Sequence, residues 1–215
     1  MGKRGRYGAR YSLNKASPYI KELVRDGWEV GQHINYYNYL DSGEIKKNKL
    51  RLENETGQKV LGCRSHYLRF DSQRSYNVLS KAGFLYDSSL GFSDSIGFRN
   101  GTAYPHIPSQ IINKNKPFYE LPLIVMDGAL FDGMKLTLTD GYRRIIFLLE
   151  EYSNQNAVIT ILWHTGTMNN IDYQGWGKVY KDLLLFLFKN NINVRKAEDV
   201  IIKYHNYVLS RKNSN

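Results

Sequence analysis

Cysteine is all but missing from this chain. Cys63 stands alone among 215 residues, so no intramolecular disulfide staples the fold. Proline is scarce too, and three of the five, Pro105, Pro108 and Pro117, fall in one stretch. No apolar run approaches the roughly 18 residues needed to cross a bilayer; the longest is LLLFLF, Leu183 to Phe188. The opening MGKRGRYGARY has basic residues with no apolar segment behind them, so no signal peptide is visible and a cytoplasmic protein is expected. Carboxylates are outnumbered, 20 against 30 lysines and arginines, and none occurs in MGKRGRYGARYSLNK.

The resulting net charge of +10 raises the question of nucleic-acid binding. No groove-binding or RNA-binding motif accompanies it. The excess sits at the ends (MGKRGR, SRKNSN) and on a solvated helical stretch, KKNKLR, in a chain generally rich in lysine, asparagine, tyrosine and isoleucine. A nucleic-acid partner is therefore not expected. Hydrophobic content of 42% is ordinary for a globular domain.

Helical and strand patterns alternate along the chain. Ser17-Pro18 reads as a cap and first-turn proline of a helix that stops at Asp26-Gly27. Asp41 or Ser42 opens a charged helix that Gly57 closes, and Ser72 to Ala82 forms another, ended by Gly83. Three further helices are expected: one around Ile145 to Leu149, one from Trp176 to Asn190 and one from Glu198 to Ser210. Strands are expected at Trp28–Gln32, Val60–Cys63, Phe84–Tyr86, Leu121–Met126 and Ala157–Trp163, with a short one near Asn193–Arg195. Ser88 to Tyr119 is a long irregular connection of the kind that forms lids or site walls. No repeat or low-complexity linker divides the chain. The expectation is a basic tail over residues 1–16 and one α/β domain over 17–210, its parallel strands curled into a partial barrel.

Five apolar runs end in a chemically capable residue. WEVGQ leads to His33, KVLGC to Arg64 and His66, GFLY to Asp87, LPLIVM to Asp127 and AVITILW to His164. In parallel α/β folds, the residues after the strands face the ligand site, so such ends converging would assemble histidines, an arginine and carboxylates: the equipment of a hydrolase. Side chains alternate along a strand, which places Arg64 and His66 on one face. Asp127 before Gly128 also reads as a turn residue. His106 and His205 read as surface residues, Trp176 as a core anchor at a helix start, and Cys63 as small buried packing.

The segments GWEVGQH, GCRSHYLRF, GFLYDSSLGFSDSIGFRNGT and ILWH resemble the polysaccharide deacetylases, the NodB-homology group also called carbohydrate esterase family four. The resemblance runs from about Tyr19 to His164 and implies a deformed (β/α) barrel that removes acetyl groups from a carbohydrate with a divalent metal, usually zinc. It implies His33 as a metal ligand, Arg64 and His164 as catalytic residues, and Tyr67, Asp87 and Ser88 on the substrate side. His164 would protonate the leaving amine, for which an imidazole with an unperturbed pKa near 6.5 is suited. Arg64 would orient a carboxylate through two parallel hydrogen bonds.

Two departures go with it. Tyr37 stands where the family's second metal histidine belongs, which makes His66 the substitute ligand. The family's Asp-Asp motif has no counterpart before Tyr19, so its first strands are expected to be missing, leaving a poor catalyst with a sheet edge open to self-association. The rival reading is a catalytically silent module on the same fold that binds a carbohydrate or a partner.

Overall fold

The computed structural model describes residues 12–113 and 116–212. They form a mixed α/β protein whose strands are all paired in parallel. The described residues fall into two compact units, one holding those up to Leu90, Pro105–Leu121 and those from Lys196, the other Gly91–Tyr104 and Pro122–Arg195.

The first unit starts with α1 (Leu13–Arg25), capped by Ser12 and not by Ser17 as its sequence suggested. Ser17 is buried instead, its hydroxyl donating to Glu55, and Pro18 sits inside the helix. Then come β1 (Gln32–Ile34), α2 (Ser42–Thr56), β2 (Gly62–Ser65), α3 (Ser75–Ala82), β3 (Tyr86–Asp87) and β4 (Tyr119–Glu120). The strands lie side by side in the order β1-β2-β3-β4. Asp41 caps α2 by accepting from the Glu44 N–H, and Gly57 closes it in the left-handed conformation. The core of this unit gathers Ile34, Val60, Leu79, Phe84 and Phe118. Each such side chain contributes about 1.5–3 kcal/mol on burial.

Strands begin later than their apolar runs, for local reasons. Val60 is fully buried, yet its N–H donates to Glu53 Oε1 at 3.0 Å, so the ladder starts only at Gly62. Trp28, expected to begin the first strand, is 64% exposed, and β1 starts four residues later. The expected strand Leu121–Met126 is split. Leu121 still donates to Asp87, but Pro122 has no N–H to continue the ladder. Tyr119–Glu120 therefore pairs with β3, whereas Val125–Met126 belongs to the second unit.

In that unit β5 (Val125–Met126) pairs with β6 (Ile161–Leu162), flanked in sequence by α4 (Leu138–Tyr152) and followed by α5 (Trp176–Lys189). Its core contains Val125, Leu130, Ile145, Val179 and Leu183. Trp176 packs partly buried against it, its ring 4.8 Å from that of Phe131, as a core anchor. The strand expected at 193–195 is absent: α5 ends with the Ile192 N–H returning to Leu187, and Val194 is 65% exposed. The last helix, α6 (Ala197–Lys212), belongs to the first unit. There His205, expected at the surface, is partly buried and bonds Tyr119 Oη through Nδ1 at 2.6 Å.

Candidate functional site

Within the first unit, the β1–β2 register sets His33 beside Arg64. β2 ends at Ser65 and the chain turns, so His66 is not placed by strand alternation. The turn brings its ring to His33, with His33 Nε2 2.7 Å from His66 Nδ1 and the rings nearly perpendicular. One ring nitrogen donates to the other. Tyr67 and Leu68 then adopt left-handed backbone angles (φ 56° and 50°), which non-glycine residues enter at a cost of about 1–3 kcal/mol each. That turn swings the Tyr67 ring outward, 67% exposed, edge-on to His66 and to Tyr36. Tyr37, 52% exposed, packs edge-on to Tyr36 as well. Arg69 stacks over Tyr36 and Tyr39 and donates to the Tyr36 carbonyl. The two imidazoles thus lie in a partly exposed aromatic cluster.

Arg64 turns toward β3. Two of its nitrogens donate to one residue, Nε to the Ser88 carbonyl at 2.7 Å and Nη2 to Ser88 Oγ at 2.9 Å, so the fork clasps a serine where a carboxylate was expected. Asp87 is completely buried and accepts from the Ser89 N–H, the Ser89 hydroxyl and the Cys63 thiol. Ser88 is buried as well. Burial lowers the Arg64 guanidinium from its ordinary value while the negative charge of Asp87 opposes that, and burial raises Asp87. Burial also pushes the Cys63 thiol well up, so it stays protonated.

The second unit carries a different pairing. His164 follows β6 and Asp127 follows β5, so the β5–β6 pairing sets them close. His164 Nδ1 lies 2.6 Å from Asp127 Oδ1, and the His164 N–H donates to Oδ2 at 2.9 Å. The Thr167 hydroxyl donates to Oδ2 at 2.8 Å. Burial works to raise the Asp127 carboxyl, but the ring and backbone of His164 and the Thr167 hydroxyl bring it below its ordinary value. Asp127 is thus an anion with no exposed side-chain surface, fixing the tautomer and plane of an imidazole that is itself 53% exposed. An imidazole so held can take up and release a proton.

For a metal, His33 and His66 supply two nitrogens. Among the described residues no group of three or more histidine, cysteine, aspartate or glutamate side chains is placed to hold one. Two ligands of one tetrahedral zinc lie about 3.3 Å apart, given Zn–N bonds near 2.0–2.1 Å. The imidazole nitrogens are closer and bonded to each other, so as placed they do not form a zinc site.

No family model and no curated protein sequence matches the chain. Among solved structures, the fold is similar to one described as "putative polysaccharide deacetylase from Mycobacterium smegmatis", with 20% sequence identity and a TM-score of 0.48. The match covers 71% of this chain and 55% of that one, so the chain spans about half the length of that structure.

Thr167, Tyr36 and Glu120 were not singled out from sequence. A carboxylate inside the otherwise apolar FYELPL was the available signal for Glu120. Thr167 and Tyr36 had none beyond lying three residues past His164 and His33.

Proposed function

We propose that this chain is a polysaccharide-deacetylase-like hydrolase on a deformed (β/α) barrel, cleaving acetyl groups from an N-acetylated carbohydrate. The observation that carries the reading is the Asp127–His164 hydrogen bond, set where the motif-like ILWH ends. In the reaction, His164 Nε2 takes a proton from water as the water oxygen bonds to the acetyl carbon, the carbon–nitrogen bond breaks, and acetic acid, released as acetate and a proton, and a free sugar amine result. His164 delivers from Nε2 the proton that the departing nitrogen needs. Asp127 keeps Nδ1 protonated and stabilises the imidazolium from which that proton comes.

Tyr67 and Tyr37 offer rings to the apolar faces of a sugar, beside imidazoles able to bond its hydroxyls. Asp87 and Ser88 act on the substrate side indirectly, Ser88 by holding Arg64 and Asp87 by holding the backbone after β3. A divalent metal, if bound, polarises the acetyl carbonyl and acidifies water. His33 and His66 are its proposed ligands once their mutual hydrogen bond opens.

Acetate release from an N-acetylated chito-oligosaccharide tests the reading. Slow release is expected from the chain, and His164→Ala should reduce it about 10²–10⁴-fold, the usual share of a general acid, without weakening oligosaccharide binding. Release at an unchanged rate in that variant contradicts the assignment. The exposed Tyr37 and Tyr67 rings favour a second reading, a carbohydrate-binding module without turnover. Binding that Tyr67→Ala weakens, with no acetate released, selects it.

A further inference from the structure

We infer that Asp87 and Glu120 form a buried acid pair sharing one proton, carried by Glu120, and that this pair positions Ser88, Ser89 and, through Ser88, Arg64. The β3–β4 register sets the two residues side by side, and neither has any exposed surface. In-register neighbours of a parallel pair present their side chains on one face of the sheet, so each carboxyl acts on the ionisation of the other. Two carboxylates cannot both be ionised at that separation away from water, so one keeps its proton.

The surrounding donors say which. Asp87 accepts from the Ser89 N–H at 2.9 Å, the Ser89 hydroxyl at 2.8 Å and the Cys63 thiol at 3.5 Å, the surroundings of an anion. Glu120 accepts a single bond, from the Leu90 N–H to Oε1 at 3.1 Å. Its Oε2 meets no donor among the described residues, at a depth where a bare carboxylate oxygen is costly. A hydroxyl at Oε2 donating to Asp87 removes that cost. Burial, and then the charge of Asp87, push Glu120 well above the ordinary carboxylate range.

The charges facing the pair agree. From β2 come the protonated Cys63 thiol and the Arg64 guanidinium. From β3 comes the Tyr86 phenol, raised by burial and then by Glu29, and hence neutral. On the far side of β4, His106 exchanges both backbone hydrogen bonds with Glu120. One proton leaves the pair with a single negative charge against the single positive charge of Arg64. Asp87, thus anchored, holds Ser89, whose hydroxyl oxygen also accepts the Ser65 N–H, while the preceding Ser88 receives the guanidinium fork.

The sign of the pH dependence follows. Below the ordinary glutamate value of about 4.3, folded and unfolded chains both carry the proton and the contribution is complete. As pH rises toward the higher folded value, the unfolded chain ionises first and stability is lost. Glu120→Gln keeps an uncharged donor for Asp87 and an acceptor for Leu90, and does not titrate. Its melting temperature relative to the unaltered chain should therefore rise by about 3 °C or more between pH 4.5 and pH 8, whereas Glu120→Ala melts lower at both. The infrared spectrum of the unaltered chain at neutral pH should show a protonated-carboxyl band that Glu120→Gln removes. A melting difference that stays flat or falls with pH, or no such band, overturns the inference. If Glu120→Gln does not fold, Asp87→Asn decides through the band: a shift supports the shared proton, an unmoved band refutes it. Neither measurement reads acetate release, so this inference and the proposed activity fail separately.

Discussion

At the residue scale, two kinds of position carry the structure, and only one is visible from sequence. His33, Arg64, Asp87, Asp127 and His164 all follow apolar runs, and each is found close to the end of a short parallel strand. Which of them meet was not legible. Asp127 and His164 are 37 positions apart and touch only because β5 pairs with β6. Gly62 shows the other kind, a residue without chemistry whose identity is fixed by a neighbour. The Tyr86 ring lies across it, bonded through its hydroxyl to Glu29, and a Cβ on Gly62 would stand 2.0 Å from Tyr86 Cζ. Gly62→Ala must displace that ring and break its bond to a partly buried carboxyl. A loss of about 1–3 kcal/mol is expected, the usual cost of overpacking, read from the urea midpoint. An unchanged midpoint would mean that the ring has free room to move.

At the element scale, helix ends were readable and strand starts were not. Caps are local chemistry: Asp41, Gly57 and Gly83 each act where their residue type predicts, with both glycines at positive φ. The start of α1 escaped because Ser12 and Ser17 are equally good caps, and Ser17 is taken up by Glu55 on α2. Strand starts depend on remote partners, as Val60 shows by giving its N–H to Glu53. That same carboxylate receives Lys49 Nζ at 2.6 Å, a nearly buried pair one helical turn apart that joins the end of α2 to the entry of β2. Asp41→Ala removes the side-chain acceptor for Glu44 at the other end of α2. It should cost about 1 kcal/mol, lowering the melting temperature by roughly 2–4 °C, and Asp41→Ser should restore most of it. Equal losses in both variants would show that the cap contributes nothing.

At the scale of the whole molecule, the sequence conveys the class of fold. Strand–helix alternation correctly implies parallel α/β architecture. The chain passes between the two compact units at 90–91, 104–105, 121–122 and 195–196, none marked by a linker or a shift in composition. Among the described residues no helix is long and apolar enough to cross a membrane. The proposed activity rests on one device, a buried Asp127 carboxylate bonded to the ring of His164. Nitrogen-15 NMR of the His164 imidazole reads that device directly. A ring protonated on Nδ1 is expected, a preference that Asp127→Ala abolishes. A ring protonated on Nε2, or a tautomer indifferent to Asp127, would contradict it.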